Sequence, residues 1–280
     1  GGLIGSSAVR AFAPDCEVIG IDNDSRRSFF GNSASTATIT ATLADTFSNF
    51  RAEYEDIRNR CAIEGIFAAY ADEITAIIHC AAQPSHDWAA CDPFTDFDIN
   101  AVGTLNLLEA TRRYCPKAAF VFMSTNKVYG DWPNWLNGDL ADESIPIDQC
   151  THSIFASSKV AADIMVQEYG RYFGMNTVCF RGGCLTGGAH AGAEQHGFLA
   201  YLVKCCKQGI PYTIYGYDGK QVRDNIHADD VVSAMREYID DPDPAAVYNI
   251  GGGPENAISV REAITKVEEM TGKKMDVRYV

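Results

Sequence analysis

Short apolar runs alternate with amphipathic stretches along the first two thirds of the chain. The runs with strand character are Cys16–Asp22, Ala76–Cys80, Ala119–Ser124 and Thr177–Phe180. Between them, apolar residues recur at helical spacing in Ile63–Tyr70, Ile99–Tyr114 and Phe155–Phe173. A strand that is buried on both faces has a continuous apolar run, because helices cover both sides of a parallel sheet. The pattern therefore predicts an α/β fold with a doubly wound parallel sheet.

The pattern changes after Arg181, where glycine pairs introduce a long loop. The segments predicted beyond this loop are helices at Phe198–Gln208, Val231–Ile239 and Ser259–Thr271 and strands at Tyr212–Tyr215 and Val247–Ile250. Ser259 and Glu262 have the spacing of a capping box, which favours a helix start at this point. The polar stretch Ser25–Ser48 supports no firm assignment. We expect a division into a larger and a smaller part near residue 180.

Both ends of the chain have patterns that are typical of interrupted elements. The glycine-rich turn Gly1–Ser6 leads directly into an apolar helix, and turns of this kind follow a buried strand. The last residues, Val277–Val280, have the pattern of the middle of a strand. We therefore expect a strand before residue 1, and a chain that is clipped at both ends.

The composition narrows the choice of partner and compartment. The 280 residues carry 23 basic and 37 acidic side chains, which gives a net charge of −14 and argues against nucleic acid or an anionic membrane as the main partner. A membrane-spanning helix needs about 18 consecutive apolar residues, and no apolar run in the sequence is that long. Ten scattered cysteines without a C-x-x-C pair indicate reduced thiols in a cytoplasmic protein. Metal binding is the alternative use, but zinc-site spacing is missing, and we predict no metal.

A glycine turn and an acidic residue predict a dinucleotide site. Small residues in Gly2-Leu3-Ile4-Gly5 let a pyrophosphate approach the N-terminus of the helix that follows. Asp22-Asn23 ends the next strand, where a carboxylate accepts hydrogen bonds from the adenosine ribose and favours NAD. A helix cap or turn would explain Asp22 alone, and Arg26 and Arg27 leave NADP open. The turn, strand and aspartate together predict NAD on a Rossmann-like sheet.

Two further segments suit the same cofactor. Asp56-Ile57 could hold an adenine through the carboxylate and an apolar contact, although alone it would be a surface turn. Ala81-Ala82-Gln83 follows the strand at 76–80, and its small residues would let the diphosphate and the nicotinamide ribose pass close to the backbone. Tight packing of a strand against a helix would explain these alanines equally well.

Polar side chains also follow the strand at 119–124. Ligands of open parallel sheets bind beyond the carboxyl ends of the strands. A hydroxyl at Thr125, an amide at Asn126 and an ammonium at Lys127 therefore suit a polyhydroxylated ligand. Capping would explain Ser124 and Thr125, but it does not explain the two residues that follow them.

Two basic residues stand out in the second half of the chain. Lys159 lies one helical turn after Phe155 in an Ala-rich apolar stretch, which favours a functional placement over an ordinary solvated lysine. Arg223 could grip a phosphate bidentately, or it could join Asp224 and His227 in an ion-pair network between domains.

The ordered set of motifs resembles the extended short-chain dehydrogenase/reductase family, in particular the NAD-dependent nucleotide-sugar epimerases and dehydratases. The residues that carry the resemblance are Gly2-Leu3-Ile4-Gly5, Asp22-Asn23, Asp56-Ile57-Arg58, Ala81-Ala82-Gln83, Asn100 with Gly103-Thr104, Ser124 to Gly130, Lys159, Arg223-Asp224 with His227 and Asp230, and Asn249 to Gly252. The stretches 125–130 and 219–224 are most similar to CDP-paratose/CDP-tyvelose 2-epimerases. Dehydratases carry an Asp-Glu pair where this chain has Asn126-Lys127, so the resemblance implies epimerisation through a transient keto sugar.

The resemblance also implies domains and residue roles. Residues 1–180 would form the NAD-binding Rossmann domain, and 181–280 mainly a substrate-binding lobe with some segments that return to the first domain. Thr125 would polarise the reacting hydroxyl, and Lys159 would anchor the nicotinamide ribose. The implied cofactor contacts are Gly2, Leu3, Ile4, Gly5, Asp22, Asn23, Asp56, Ile57, Ala81, Ala82, Gln83, Asn100 and Lys159. The implied contacts to a nucleotide-sugar substrate are Ser85, Asn126, Lys127 and Arg223.

The chain departs from the family pattern at its general base. The family has a tyrosine four residues before the lysine, and this chain has Phe155 there. A phenyl ring cannot exchange a proton, so the usual base is absent. Either His152, His86 or Tyr129 takes over, or the chain is a non-catalytic or weakly active protein that binds NAD and a nucleotide sugar.

The family also implies a homodimer or homotetramer built on a four-helix bundle. The helices near 100–114 and 157–173 would form the bundle. Val160, Ile164 and Tyr172 partly supply the second apolar face that this interface needs.

Overall fold

The computed structural model describes residues 1–136, 141–190 and 197–280. The helices are α1 (Leu3–Phe12), α2 (Ser25–Phe30), α3 (Ala37–Thr46), α4 (Arg60–Tyr70), α5 (His86–Cys91), α6 (Pro93–Phe97), α7 (Gly103–Tyr114), α8 (Ile154–Phe173), α9 (Phe198–Gln208), α10 (Ala228–Asp240) and α11 (Val260–Thr271). The strands are β1 (Val18–Ile21), β2 (Phe50–Glu53), β3 (Ala76–His79), β4 (Ala119–Thr125), β5 (Thr177–Gly182), β6 (Cys184–Thr186), β7 (Tyr212–Ile214), β8 (Val222–His227), β9 (Ala246–Ile250), β10 (Ala257–Ser259) and β11 (Val277–Tyr279).

A parallel sheet with strand order β3-β4-β5-β9 lies at the centre of the molecule. β1 and β2 form a separate parallel pair, and among the described residues no ladder joins this pair to the central sheet. β9 pairs with β5 although α9, α10 and several short strands lie between them in the chain. Strands and helices alternate as the apolar pattern predicts, which confirms the α/β class.

Helices cover both faces of the central sheet, and the side chains of β4 show why. Phe120 and Phe122 point to the core shared with α4, α7 and α8. Val121 and Met123 point to the opposite core, shared with α1 and α10. Successive side chains of a strand face opposite sides, so a continuous apolar run is buried only between two helical layers.

The remaining elements build a smaller lobe beside the sheet. Its core packs α9 and α11 against β7 and β11 through Leu202, Tyr212 and Val267. A second small sheet has the order β10-β8-β6, with β8 antiparallel to β10 and parallel to β6. The capping box at the start of α11 is present, because Ser259 Oγ accepts from the Glu262 amide and the Glu262 carboxylate accepts from the Ser259 amide.

Several elements differ from the sequence-based predictions. The helix predicted from residue 99 starts as a π-helical turn, Asp98–Val102, and becomes α-helical at Gly103. The helices α5 and α6 have six and five residues, too few for a periodic apolar pattern, and each is instead started by a polar cap, Ser85 and Asp92. Strand β8 includes Arg223 and Asp224, a segment where the pattern predicted no strand.

The long loop predicted after Arg181 is partly a strand. Cys184–Thr186 forms β6 and pairs with β8, because glycines flank these residues without interrupting them. Residues 191–196 of the predicted loop lie outside the described residues.

Within the described ranges, no helix combines the length and the apolar character that are needed to cross a membrane.

Candidate active site

A cavity of about 1440 Å³ extends from the N-terminus of α1, through the space between β1 and β3, to the segment after β4 and to β8. Pockets for one small ligand measure roughly 300–1,000 Å³, so this cavity has room for more than one. The predicted site residues that line it are Gly2, Leu3, Ile4, Gly5, Asp22, Asn23, Asp56, Ile57, Ala81, Ala82, Thr125, Asn126, Lys127, Phe155, Lys159 and Arg223. Side chains from distant segments therefore share one cavity.

The N-terminus of α1 has the properties of an anion site. Gly2 precedes the helix in an extended conformation, no side chain caps the first turn, and this turn contains no acidic residue. A Cβ atom built at Gly2 or Gly5 would meet no other atom within 4 Å, so the space beside the helix end is open. Uncapped amides and the helix dipole both favour a negative group, which fits the diphosphate of a dinucleotide.

Carboxylates line the neighbouring wall. Asp22 Oδ2 lies 2.8 Å from the backbone nitrogen of Gly1, and its Oδ1 accepts from the Thr36 hydroxyl at 2.9 Å. The amide of Asn23 donates to Asp56 Oδ2 at 2.8 Å and so joins the segments that follow β1 and β2. Arg58 Nη2 also lies 2.7 Å from Asp56 Oδ2, and both carboxylates line the cavity.

Lys159 lies at the opposite end of this wall, on α8. It is 3% exposed, its Nζ donates to the Met123 carbonyl at 2.8 Å, and it sits 4.1 Å from the ring centre of Phe122. Burial lowers the pKa of Lys159 to about 8, although the nearby Asp163 carboxylate raises it. Thr125 lines the same cavity at the end of β4, where its Oγ1 accepts from the Lys127 amide at 3.2 Å.

Asp163 and Arg181 form a buried ion pair near Lys159, and neither residue lines the cavity. Asp163, one turn after Lys159, is 0% exposed, and its Oδ1 lies 2.8 Å from Nη2 of Arg181, which is 4% exposed. Its Oδ2 accepts from the Ser124 hydroxyl at 2.5 Å, and Gln167 donates to its Oδ1 at 2.6 Å. This group was not predicted from the sequence. The available signal was a charged residue in each of two apolar segments.

Three predicted contact residues do not line the cavity. Asn100 Oδ1 accepts from the Gln83 amide at 2.9 Å, and its Nδ2 lies 3.0 Å from the Ser158 hydroxyl. Ser85 donates its amide to Gln83 Oε1 at 2.6 Å and caps α5. These side chains bond one another and Ser158 instead of facing the cavity. They fasten the loop before α5 to α8, and the residues concerned are Gln83, Ser85 and Asn100.

Phe155 occupies the position of the family's tyrosine. It is 7% exposed, and it lines the cavity one turn before Lys159. The ring of His86 packs edge-on against it, with 4.9 Å between ring centres. His86 lines the same cavity, whereas the other two predicted alternatives for the base, His152 and Tyr129, are not among its lining residues.

The Tyr129 hydroxyl and Nε2 of His152 are already engaged, and His152 Nδ1 is buried without a partner among the described residues. The Tyr129 hydroxyl donates to Asn249 Oδ1 at 2.7 Å and accepts from Arg181 Nη1 at 2.9 Å, and burial raises the pKa of this phenol. His152 Nε2 lies 2.9 Å from the Ile147 carbonyl. A base needs a lone pair that faces the substrate, and neither group offers one to the cavity.

Two cations face the far end of the cavity. Lys127 and Arg223 both line this end. Burial, and then the charge of Arg223, lower the pKa of Lys127. Neither forms an ion pair with a carboxylate in the described part of the chain. Cys184 lies close to both of them, and burial raises the pKa of its thiol. This end of the cavity therefore favours a dianionic group.

No group of three or more His, Cys, Asp or Glu side chains is placed to hold a metal ion in residues 1–136, 141–190 and 197–280. The ten cysteines are free thiols.

Comparison with known proteins gives the family. A model of the NAD dependent epimerase/dehydratase family matches residues 1–251. The chain belongs to this family. It is 32% identical to the CDP-paratose 2-epimerase of Salmonella typhi over 298 aligned residues, which cover 99% of this chain and 84% of that protein. It is 29% identical to a dTDP-glucose 4,6-dehydratase of Escherichia coli, over 100% of this chain and 80% of that protein.

Solved structures of the NAD dependent epimerase/dehydratase family have the same fold. The UDP-glucose 4-epimerase of Thermus thermophilus, in complex with NAD, superimposes with a TM-score of 0.81 at 29% identity, over 99% of this chain and 83% of that one. NAD is therefore the cofactor, as the glycine turn and Asp22 predict. The open N-terminus of α1 fits its diphosphate.

Proposed function

We propose that this chain catalyses the NAD-dependent epimerisation of a nucleotide-linked sugar, in the manner of the CDP-sugar 2-epimerases, through a transient keto sugar. The observation that carries the proposal is the group Thr125, Asn126 and Lys127 at the cavity wall beside Lys159. Removal of water needs an acid and a base at this position, and the side chains here are an amide and an ammonium. The similarity to the CDP-paratose 2-epimerase supports the same choice.

The cofactor would lie along the wall from α1 to α8. The amides after Gly2 and the open space at Gly5 would receive its diphosphate, and Asp22 would accept from its adenosine ribose. Asp56 would meet the adenine, and Lys159 would hold the nicotinamide ribose. When bound, NAD accepts a hydride from the sugar and later returns it.

The substrate would occupy the end of the cavity that contains Lys127 and Arg223. Lys127 and Arg223 have no carboxylate partner in the described ranges and are open to solvent, so an anionic ligand can reach both. The diphosphate of a nucleotide sugar carries the required charge, and Arg223 can bind it bidentately. Its sugar would then extend towards Thr125, whose hydroxyl can share a proton with a sugar hydroxyl.

The test is incubation of the chain and NAD⁺ with CDP-, UDP- and dTDP-linked sugars, followed by NMR of the products. We expect a C2 epimer from a CDP-sugar, and a deuterium placed at C2 should stay on the sugar because the same cofactor molecule returns it. A product that has lost water would show a dehydratase. Stoichiometric NADH with a released keto sugar would show a dehydrogenase.

A second candidate is a protein that binds NAD and a nucleotide sugar with little turnover. Phe155 favours it, because loss of a positioned base typically costs about 10²–10⁴-fold in rate. In that case Phe155→Tyr should create activity without a change in sugar affinity. Turnover of a CDP-sugar by the unaltered chain would exclude this candidate.

We also propose a homodimer or homotetramer and a cytoplasmic location. Large apolar side chains are exposed on neighbouring helices, with Phe94 on α6 84% exposed and Tyr172 on α8 81% exposed. Ile164 on α8 is 42% exposed, and it extends the apolar surface of that helix. Light scattering after gel filtration should give at least twice the monomer mass, and Tyr172→Glu should reduce it.

A further inference from the structure

We propose that His86, held by Ser153, is the proton acceptor and donor that takes the place of the missing tyrosine. The inference deepens the proposed function and rests on it. His86 starts α5, and Ser153 is the N-cap of α8, so two separate elements bring them together beside Phe155. His86 Nδ1 lies 2.8 Å from Ser153 Oγ.

The position of His86 is set by contacts on two sides. Its ring packs against Phe155, with 4.9 Å between ring centres, which is the ring that replaces the family's phenol. Behind it, the Gln83–Ser85–Asn100 network ties the loop before α5 to α8. The imidazole therefore stands at the wall of the cavity next to the position from which the phenol would act.

Proton transfer to Nε2 requires the tautomer of His86 that carries its proton on Nδ1. Ser153 Oγ already accepts from the Ala156 amide at 3.1 Å as the cap of α8. In this tautomer the second lone pair of Ser153 Oγ accepts from Nδ1–H, and Nε2 carries the free lone pair; a Ser153 hydroxyl that donated to Nδ1 would give the other tautomer. No residue in the described ranges bonds Nε2, so its lone pair can accept a proton from a ligand.

The surroundings of His86 favour its neutral form. Burial lowers the pKa of its imidazole, and so does the charge of Lys127, which follows β4. Asp87 on α5 and Asp96 on α6 act in the opposite direction, but the pKa stays below its ordinary value of 6.5. From α8, the neutral side chains of Ser153 and Phe155 face the ring.

Other titratable groups of the cavity are less suited to the step. His79 is buried, its Nε2 bonds Thr104 at 2.8 Å, and burial lowers its pKa to about 3. Lys159 already donates to the Met123 carbonyl and carries the charge that anchors the cofactor. His190 also lines the cavity, but burial lowers its pKa to about 4, whereas His86 combines a basic nitrogen with a place beside Phe155.

The proton and the hydride balance over the whole cycle. With NAD bound, the cofactor would accept the hydride of the sugar C–H bond, the O–H proton would go to His86 Nε2, and the carbinol carbon would become a ketone. The keto sugar would then rotate in the site and present its opposite face. The hydride would add to that face of the carbonyl carbon, and His86 would return its proton to the oxygen. At the end of the cycle the imidazole of His86 is neutral again, and no reactant besides the sugar and NAD is needed.

The test variant is His86→Asn, whose side-chain amide can keep the donor to Ser153 but has no basic nitrogen. We expect kcat/KM to fall about 10²–10⁴-fold, with the affinities for NAD and for CDP unchanged. The matched control is His152→Gln, which keeps a donor to the Ile147 carbonyl and should retain full activity. A ¹⁵N NMR titration of the free protein should place the pKa of His86 below 6.5 and show Nδ1 protonated.

A rescue experiment separates a catalytic role from a structural one. Adding Phe155→Tyr to His86→Asn should restore activity, and the acid limb of the pH profile should move to higher pH, because a phenol replaces an imidazole as the base. Unaltered kcat/KM in His86→Asn, while the wild type epimerises its sugar, would overturn the His86 assignment and leave the proposed function standing. A wild type that binds NAD and every sugar but oxidises none would overturn both.

Discussion

The buried ion pair beneath the site gives the most quantitative prediction. Asp163 accepts from Arg181, Ser124 and Gln167, and it is completely buried. In Asp163→Asn the geometry can stay nearly the same, but the Arg181 guanidinium loses its counter-charge and faces an amide NH₂ group. The free energy of unfolding should therefore fall far more than the loss of one hydrogen bond would explain.

The expected magnitude follows from the burial of both partners. Removal of one partner from a buried pair costs about 3–5 kcal/mol, because the other charge is left without compensation. With a urea slope of about 2.5 kcal/mol per M for a chain of this size, the unfolding midpoint should fall by about 1–2 M. Burial also raises the cost of charge on Lys159, so loss of the Asp163 carboxylate should lower the pKa of this lysine further.

The assay is urea unfolding followed by circular dichroism, with a control on the same helix. Glu168 pairs with Arg171 at 2.7 Å, but both side chains are about half exposed, so Glu168→Gln should cost about 0–1 kcal/mol. Replacement of both buried partners, Asp163→Leu with Arg181→Met, should recover most of the loss. Equal midpoints for Asp163→Asn and Glu168→Gln would refute the reasoning.

Three further predictions concern the cofactor anchor, a close backbone approach and the substrate end. The pKa of Lys159 is about 8 in the folded chain and has an ordinary value of 10.5, so between these pH values the unfolded chain binds more protons. The free energy of unfolding should therefore rise from pH 8 to 10.5. Lys159→Met should lack this rise in urea melts recorded over the same pH range. A Cβ at Gly252 would overlap the backbone oxygen of Asn225, so Gly252→Ala should lower the melting temperature by several degrees, whereas Gly188→Ala, with open space around it, should not. Arg223→Met removes a charge-assisted contact, so calorimetry should show binding of a CDP-sugar weakened about tenfold or more, with the affinity for NAD unchanged. Equal losses of affinity for both ligands would contradict the assignment of Arg223 to the substrate.

Local patterns accounted for much of the fold. The apolar runs at 119–124 and 177–180 became central strands because both of their faces are covered by helices. The start of α11 was predicted from Ser259 and Glu262, since a capping box involves only neighbouring residues. The short helices α5 and α6 were not predicted, because a helix of five or six residues has no periodicity to detect.

The candidate site was predictable only in part. Motifs at strand ends identified the residues around the cavity, because ligands of parallel sheets bind beyond the carboxyl ends of their strands. The family resemblance placed Gln83, Ser85 and Asn100 among the contacts, but hydrogen bonds across 17 and 58 residues turn Asn100 towards Gln83 and Ser158. A motif names a residue type at a position, and it does not say which way the side chain points.

The sequence alone therefore determined the α/β class, the cofactor and the absence of the usual tyrosine, since these depend on periodicity and on motifs within a few residues. Only the tertiary structure decided which group can replace the tyrosine. His86 and Ser153 are 67 residues apart, and Tyr129 and Asn249 are 120 apart. Packing of α5 on α8 brings His86, bonded to Ser153, to the cavity wall, and the pairing of β9 with β5 draws Tyr129 into a buried network. Such long-range contacts leave no periodic trace in the chain, because they arise from the way the elements pack.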